Sequence, residues 1–302
     1  MKPCFGSDLE LKPAAFTFHR PGSVDEALAL LARHGAAAKA LAGGQSLGPM
    51  LNMRLAQPEH LIDLNDLIEL DRVRDLGDKI EIGALTRHHR VATSPEIRKS
   101  LPLLSDAAGT IGHYAIRQRG TLGGSLVQAD PAAQLPLVAV TLGADVMLRS
   151  RRGARTVTAA KFLRAIMSVD LADDELVTGV CVPRQPVGER WAFDLFSRRH
   201  GDFAIVAVAL TLRLDDDGAI AAIRLGVGGV GPVPVRLVEV EGRAVGKVPD
   251  GEAILELARE AAAAITPEDD PLVPAQYRRD LVETLTARAL RRVTAEWPEV
   301  TP

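Results

Sequence analysis

The stretch LAGGQSLGPMLNMRLAQPEHLIDL, residues 41–64, places two glycines, a glutamine and a serine directly after a short apolar run. Such residues bury little apolar surface, but glycine has no Cβ and lets its backbone approach another group closely. The run AAAKALA (36–42) predicts a short strand, and HLIDL (60–64) predicts another. The segment is therefore typical of a strand that ends in a turn made for close contact.

A second glycine segment occurs in RQRGTLGGSLVQADPAAQLPLVAVTLGA, residues 117–144. Asp130 followed by Pro131 predicts the start of a helix that runs to about Leu142, because aspartate caps helices well and proline suits the first helical position. Successive N–H groups in a glycine turn before a helix form a concave anion site. Both segments could therefore hold a pyrophosphate, although ordinary tight turns use the same residues.

Composition limits the class of protein. The chain has 302 residues and a net charge of −3, with 25% charged and 47% hydrophobic residues. These values are ordinary for a globular protein of two or three structural units. The lack of a basic stripe predicts no nucleic-acid partner. No apolar run approaches a membrane span of about 20 residues, and no signal peptide is evident at the N-terminus, so we expect a cytoplasmic protein without a transmembrane segment.

Metal and nucleophile motifs give little signal. Cys4 and Cys181 form no CxxC pair, and two thiols cannot hold an iron–sulfur cluster or a structural zinc alone. The neighbours His88 and His89 are better explained by a surface turn than by a metal site. No P-loop or G-x-S-x-G motif is present, and GVGGVG (226–231) runs into prolines, which favours a strand bend. We therefore expect no metal site and no catalytic acid or base.

Along the chain, the predicted strands and helices alternate in the first part, strands follow in the middle, and helices come last. KIEIGAL (79–85) alternates like a half-buried strand, residues 145–159 predict a hairpin, and 184–190 predict a linker. Strands follow the linker, and the final helices are predicted over 252–265 and 277–297. This order favours an α+β fold or mixed α/β units.

At the two glycine segments the chain resembles a known family. Residues 41–64 and 116–146 are similar to the two flavin-binding signatures of the medium subunit of molybdenum hydroxylases, which include aerobic carbon monoxide dehydrogenase and bacterial xanthine dehydrogenases. FTFHRPGSVDEALALLARHG (16–35) and SRRHGDFAIVAVALTL (197–212) resemble two further family segments. The resemblance implies a two-lobed PCMH-type FAD-binding domain at 13–186, then a C-terminal domain of antiparallel sheet plus helices at 190–298.

The resemblance also implies which residues bind non-covalent FAD. The two glycine segments would hold its pyrophosphate, a residue near 111 would pack near the adenine, and the remainder would lie near the ribityl chain and flavin. The residues are Ala42, Gly43, Gly44, Gln45, Ser46, Leu47, Ile111, Thr121, Leu122, Gly123, Gly124, Ser125, Asp130, Gln134, Leu176 and Val177.

Two departures from the family pattern bear on the flavin. Many relatives carry an acidic residue at the position of Gln134, whose amide can still bond a ribityl hydroxyl without the charge. Many also have tyrosine where this chain has Phe203, so a phenol near the flavin would be missing. The resemblance therefore leaves the reactivity toward the electron acceptor open.

The resemblance implies an electron-transfer role. A molybdenum-cofactor large subunit would oxidise the substrate, a small subunit would carry two iron–sulfur clusters, and FAD on this oxidoreductase chain would pass electrons to an external acceptor. The assembly would be a dimer of heterotrimers. Two alternatives are a self-sufficient flavin oxidase of the vanillyl-alcohol oxidase type and a non-catalytic assembly subunit. Gln45 argues against the first, because some of those oxidases have a flavin-linking histidine there, and the intact glycines argue against the second.

Overall fold

The chain begins with a small lobe built on a three-stranded parallel sheet. The computed structural model describes residues 13–271 and 273–295. The strand order is β1-β3-β2, and a 3-10 turn at Gly35–Ala37 leads into β2. The elements of this lobe are β1 (Thr17–His19), α1 (Val24–His34), β2 (Ala38–Leu41), α2 (Leu47–Asn52) and β3 (His60–Asp63).

Local sequence signals fix the boundaries of α1. The Ser23 hydroxyl accepts the N–H of Glu26 at 3.2 Å, as the Ser-x-x-Glu pattern predicts for a helix start. The helix ends at Gly35, whose φ of +50° is costly for other residues. Its apolar face, which includes Leu28 and Leu31, is buried against the sheet. These features place β2 so that it delivers residues 42–46 to the centre of the molecule.

A second lobe follows, built on a five-stranded sheet of order β4-β5-β10-β6-β7 whose neighbours are all antiparallel. A two-stranded ribbon, β8-β9, lies beside it. The strands are β4 (Val73–Asp75), β5 (Lys79–Gly83), β6 (Asp145–Ser150), β7 (Gly153–Thr158), β8 (Leu163–Ala165), β9 (Ser168–Val169) and β10 (Leu176–Pro183). The predicted hairpin at 145–159 is confirmed as β6-β7.

The half-buried character predicted for β5 is wrong. Residues Ile80–Gly83 are buried on both faces of the strand, and the Glu81 carboxylate forms an ion pair with Arg72 there. β5 lies between β4 and β10, so both of its edges are paired, and Ile80 and Ile82 belong to the apolar core of the lobe. Alternation in sequence does not report coverage of the second face.

Helices of the second lobe enclose its core of leucine, isoleucine and valine. Six of the described helices lie between β5 and β6, and a seventh lies between β7 and β8. They are α3 (His88–Thr93), α4 (Pro95–Ser100), α5 (Pro102–Gly109), α6 (Tyr114–Arg119), α7 (Leu122–Gln128), α8 (Gln134–Leu142) and α9 (Ala159–Phe162).

Two predictions in this region need correction. The helix expected to start at Asp130 starts at Gln134 instead, and the Asp130 carboxylate accepts the N–H of Ala132 at 2.8 Å in a local turn. The second glycine segment is not a turn that precedes a helix, as the sequence suggested. It follows helix α6 and forms the first turn of α7, with Thr121 as the N-cap.

The C-terminal part is an antiparallel sheet of order β11-β12-β13-β14 covered by helices, as predicted for this fold class. GVGGVG is a strand end followed by a bend, since β13 ends at Gly228 and Gly229 has a φ of +79°. Residues 296 and 297 of the last predicted helix lie outside the described residues. The elements are β11 (Arg190–Phe196), β12 (Val206–Leu214), β13 (Ile220–Gly228), β14 (Val235–Arg236), α10 (Val238–Ala244), α11 (Gly251–Ala263) and α12 (Ala275–Thr294). Among the described helices, none combines the length and the apolar character that a bilayer crossing requires.

Helix α8 joins the second lobe to the C-terminal sheet. Every residue of α8 is buried, and the helix packs on β13 at a glycine. A Cβ added at Gly226 would lie 1.9 Å from Oγ1 of Thr141, which itself donates to the Leu137 carbonyl at 2.8 Å. Glycine is therefore required at this contact for steric reasons.

We predict that Gly226→Ala destabilises the full chain by about 1–3 kcal/mol, because overpacking at a closed contact costs that much. The double variant Gly226→Ala/Thr141→Ala should recover part of this loss, since it removes the colliding hydroxyl. Gly242→Ala in α10 is the matched control: no atom lies within 4 Å of its added Cβ, so stability should stay equal or rise. Urea unfolding measures all four proteins, and equal losses for Gly226→Ala and Gly242→Ala would contradict the account.

Candidate functional site

A cleft of about 410 Å³ opens where the two lobes meet, and Phe203 of the C-terminal part contributes to its rim. This volume is within the range of small-molecule sites. All but one of the residues predicted to bind FAD line it. They are Ala42, Gly43, Gly44, Gln45, Ser46, Leu47, Ile111, Thr121, Gly123, Gly124, Ser125, Asp130, Gln134, Leu176 and Val177.

The exception is Leu122. Its side chain is 1% exposed and belongs to the apolar core of the second lobe. The residue lies on the inner face of helix α7, and therefore points away from the cleft that its neighbours line. The structure gives the Leu122 side chain a packing role, and its contact with a cofactor stays a prediction.

The first glycine segment presents unbonded backbone donors to the cleft. In the described part of the chain, the N–H groups of Gly44, Gln45 and Ser46 donate no hydrogen bond to a protein acceptor. Gly44 has a φ of +70°, and the Gln45 side-chain amide donates to the Gly43 carbonyl at 3.0 Å, which fixes the bend. Successive free N–H groups of this kind form an anion-binding concavity.

The second glycine segment differs, because its N–H groups are already bonded within the protein. It therefore offers the cleft hydroxyl groups, chiefly that of Ser125, rather than backbone donors. The reason is its helical conformation, which the sequence did not reveal. The bonds are Leu122 N–H to Thr86 O (3.0 Å), Gly123 N–H to Ala84 O (2.8 Å), Gly124 N–H to Thr121 Oγ1 (3.1 Å) and Ser125 N–H to Thr121 O (3.0 Å).

Glycine at these positions allows backbone to approach backbone. A Cβ on Gly43 would lie 2.0 Å from the Arg119 carbonyl oxygen, and one on Gly123 would lie 2.6 Å from the Ala84 Cβ. Neither distance is possible for a real side chain. The first contact joins the two lobes directly below the cleft, so Gly43 positions the walls of the site as well as lining it.

Arg87 connects the same two segments, to one directly and to the other through Asn65. Its guanidinium donates to Oδ1 of Asn65 at 2.7 Å and also to the Arg119 carbonyl. Asn65 in turn donates to the Ala42 carbonyl at 2.9 Å. Burial lowers the pKa of Arg87, but arginine stays charged in proteins. The sequence did not point to Arg87, since an arginine after a strand carries no local signal that it will bridge two backbone segments.

His88 also lines the cleft, and its predicted place in a surface turn is wrong. The ring is 7% exposed at the start of α3, with Nε2 lying 2.9 Å from the Thr121 carbonyl oxygen. A carbonyl only accepts, so Nε2 carries the proton, and Nδ1 has no partner among the described residues. Burial lowers the pKa of His88 to about 4, so the imidazole is neutral near pH 7.

Two of the three non-glycine residues with a left-handed backbone in the described part of the chain bond each other beside the cleft, which Met167 lines. Ala129 and Met167 both have a left-handed backbone, with φ values of 49° and 52°, and the Met167 N–H donates to the Ala129 carbonyl at 3.1 Å. Non-glycine residues seldom adopt this conformation, and when they do they are often found at ligand sites. Nearby, Arg155 lowers the pKa of Glu175 through paired hydrogen bonds, so that the cleft keeps a carboxylate already neutralised by a partner.

A second cavity, of about 660 Å³, lies elsewhere and is lined by His89, Tyr114, Trp191 and Arg292 among others. It contains none of the residues predicted to bind a cofactor. The polar groups that converge on the first cleft make that cleft the candidate site.

Comparison with known proteins agrees with this choice. Residues 14–185 match the model of the FAD binding domain in molybdopterin dehydrogenase, and residues 191–293 match the CO dehydrogenase flavoprotein C-terminal domain. The chain is 40% identical to the alpha subunit of the 6-hydroxypseudooxynicotine dehydrogenase complex of Paenarthrobacter nicotinovorans, covering 93% of this chain and 95% of that relative. It is 36% identical to the beta subunit of caffeine dehydrogenase from Pseudomonas sp. (strain CBB1), covering 93% and 96%.

Solved structures give the same result. A chain of carbon monoxide dehydrogenase from Hydrogenophaga pseudoflava superimposes with a TM-score of 0.90 at 35% identity, covering 94% of this chain and 99% of that one. A chain of quinoline 2-oxidoreductase from Pseudomonas putida 86 gives a TM-score of 0.90 at 33% identity, covering 94% and 98%.

We predict that His88 makes the protein acid-labile. Its folded pKa lies below the unfolded value of about 6.5, so its stabilising contribution is present above that pH and is lost as pH falls toward about 4. Between about pH 7.5 and about pH 5 this loss amounts to about 2 kcal/mol. His88→Gln keeps a donor for the Thr121 carbonyl but does not titrate. Its free energy of unfolding should therefore fall less between these two pH values than that of the natural chain.

Urea unfolding at both pH values measures the acid-induced change in the free energy of unfolding. His89→Gln is the control, because it replaces a partly exposed neighbouring histidine. An acid-induced loss in His88→Gln as large as that of the natural chain would contradict this assignment.

Proposed function

Because this chain belongs to the family of FAD-binding medium subunits of molybdenum hydroxylases, we propose that it carries electrons from iron–sulfur clusters on a partner subunit to an external acceptor. The family makes it a subunit of an oxidoreductase. The observation that carries the proposal is the cleft between the lobes, which is lined both by residues 44–46, whose N–H groups make no hydrogen bond within the described part of the chain, and by Ser125.

The cleft suits the chemical parts of FAD. The open N–H groups of residues 44–46 would bind the pyrophosphate from one side, and the hydroxyls of Thr121 and Ser125 would bind it from the other. Thr121 Oγ1 accepts the Gly124 N–H and keeps its own proton available to donate. The start of helix α7 adds partial positive charge on that side.

The other predicted contacts provide an apolar seat with a few polar groups. Ile111 would lie against the adenine, and the buried Leu176 and Val177 on β10 would pack against the flavin. Asp130 and the Gln134 amide would bond the ribityl hydroxyls. Gln134 is 6% exposed and neutral, so a bound flavin would meet no added negative charge there.

When bound, FAD supplies the electron-transfer chemistry, and the protein supplies binding and orientation. Electrons must reach it from another chain, because an iron–sulfur cluster needs about four ligands and this sequence has two cysteines. Cys181 is partly buried, and burial raises the pKa of its thiol, which disfavours the thiolate that binds iron. Cys4 lies outside the described residues.

The partners follow from the same reasoning. We propose a large subunit with the molybdenum cofactor and a small subunit with two iron–sulfur clusters, assembled with this chain as a dimer of heterotrimers. Support comes from the relatives, which are named as subunits of dehydrogenase complexes and as medium chains. The cytoplasmic location stays a prediction.

Ser125→Ala tests the site and the role together in the assembled complex. Losing a hydrogen bond to a charged phosphate costs about 1.5–3 kcal/mol, so the FAD needed for half-saturation should rise roughly tenfold to a hundredfold. The matched control is Thr156→Ala, which removes an exposed hydroxyl from edge strand β7, away from the cleft. It should bind FAD like the natural chain.

The measurement starts from flavin-depleted complex whose clusters are reduced chemically. Reoxidation of the clusters by a dye acceptor is followed by absorbance while FAD is added. We expect slow reoxidation without FAD and recovery as FAD binds, with the midpoint shifted only in Ser125→Ala. Equally fast reoxidation without FAD would contradict the electron-transfer role, and an unshifted midpoint in Ser125→Ala would contradict the site.

A further inference from the structure

Three histidines that are far apart in sequence meet on the first lobe. His19 ends strand β1, His34 is the last residue of helix α1, and His60 begins strand β3. None of them lines the cleft described above. Among the described residues, they form the one group of three histidine, cysteine or acidic side chains whose ligand atoms lie close enough to hold a metal ion.

The ring positions are defined by the fold. β1 and β3 are parallel neighbours in the sheet, and α1 crosses back over it to end beside them. Nε2 of His19 lies 3.1 Å from Nδ1 of His60, and the rings of His34 and His60 have centroids 3.6 Å apart. One ligand nitrogen from each ring lies within 4.8 Å of those of the other two.

These separations suit a tetrahedral ion. Zinc–nitrogen bonds of about 2.0–2.1 Å in a tetrahedron place neighbouring nitrogens about 3.3 Å apart. The His19–His60 separation of 3.1 Å is close to that spacing, and a ligand nitrogen of His34 lies within 4.8 Å of the ligand nitrogens of the other two rings. Three imidazoles would leave a fourth position for water.

The surroundings favour a cation over three charged rings. The C-terminal end of α1, at His34, carries the partial negative charge of the helix dipole. Glu59 places a negative charge near His34, and Arg33 places a positive one there. Neutral imidazole is the form that binds metal, and each ring is partly exposed, so solvent can reach the group.

We propose that His19, His34 and His60 form a binding site for a divalent transition-metal ion of the imidazole-preferring class, represented by Zn²⁺. The ion would tie the end of α1 to the two neighbouring strands of the first lobe. It would replace the hydrogen bond between His19 and His60, whose ring proton would move through solvent to the non-ligating nitrogen of the same imidazole, and water would supply the fourth ligand. The site is separate from the FAD cleft, and its existence does not depend on the electron-transfer role.

Zn²⁺ titration of the untagged, chelator-treated full chain, in competition with a chromophoric chelator, tests the proposal. We expect one Zn²⁺ per chain, with affinity at least about tenfold weaker in each of His19→Asn, His34→Asn and His60→Asn. His89→Asn is the matched control, since it removes a partly exposed histidine outside the group and should bind like the natural chain.

Co²⁺ provides a second readout that does not depend on the variants folding. The natural chain should develop the intense visible bands of a tetrahedral Co²⁺ site, and Zn²⁺ should abolish them. Saturating Zn²⁺ should also raise the melting temperature of the natural chain but not that of His34→Asn. Zn²⁺ binding by the natural chain no tighter than by His34→Asn, or Co²⁺ spectra of an octahedral aqua ion, would overturn the proposal.

Discussion

The contact of Gly43 with the backbone at Arg119 is the constraint on which the rest of the site depends. The two lobes have separate sheets and separate cores, and they meet here with no space for a Cβ. Arg87 bonds the Arg119 carbonyl directly and is linked to the Ala42 carbonyl through Asn65, so it helps to hold the two segments at this separation. A looser contact would widen the cleft, and the groups on its two walls could no longer reach one ligand. The glycines thus set the width of the site before they contribute to any binding.

The two glycine segments, which look alike in sequence, have different physical roles. The first is an irregular bend whose N–H groups at 44–46 are free to meet an anion. The second is the start of a helix whose N–H groups at 122–125 are satisfied by the protein, and it offers hydroxyls and a helix terminus instead. A diphosphate between them would receive backbone bonds from one lobe and side-chain bonds from the other. Binding of the diphosphate would therefore depend on both lobes being correctly placed.

Local pattern predicted much of this architecture. The α+β order, the hairpin at 145–159 and the two segments that meet at the cleft follow from periodicity, turn residues and family resemblance. Errors arose where tertiary contacts override a local signal. Asp130 has the chemistry of a helix cap, but the chain makes a tight turn there and the helix starts at Gln134. Leu122 stands among cleft residues in sequence, but helical geometry turns it into the core.

Other features leave no local trace. The burial of His88 depends on Thr121, 33 residues away, and the meeting of the three histidines depends on a parallel strand pairing between residues about 40 apart. Neither pairing is encoded in a short window of sequence. His88 and His89 are adjacent in sequence, whereas the three histidines that meet in space are far apart along the chain. Proximity in space had to come from the sheet topology.

The division of roles between the glycine segments is tested most directly by residue-resolved amide hydrogen exchange of the full chain with and without FAD. The account predicts that FAD slows exchange at Gly44, Gln45 and Ser46, whose N–H groups gain acceptors, and changes exchange at 122–125 much less. Slowed exchange at 122–125 with none at 44–46 would contradict it.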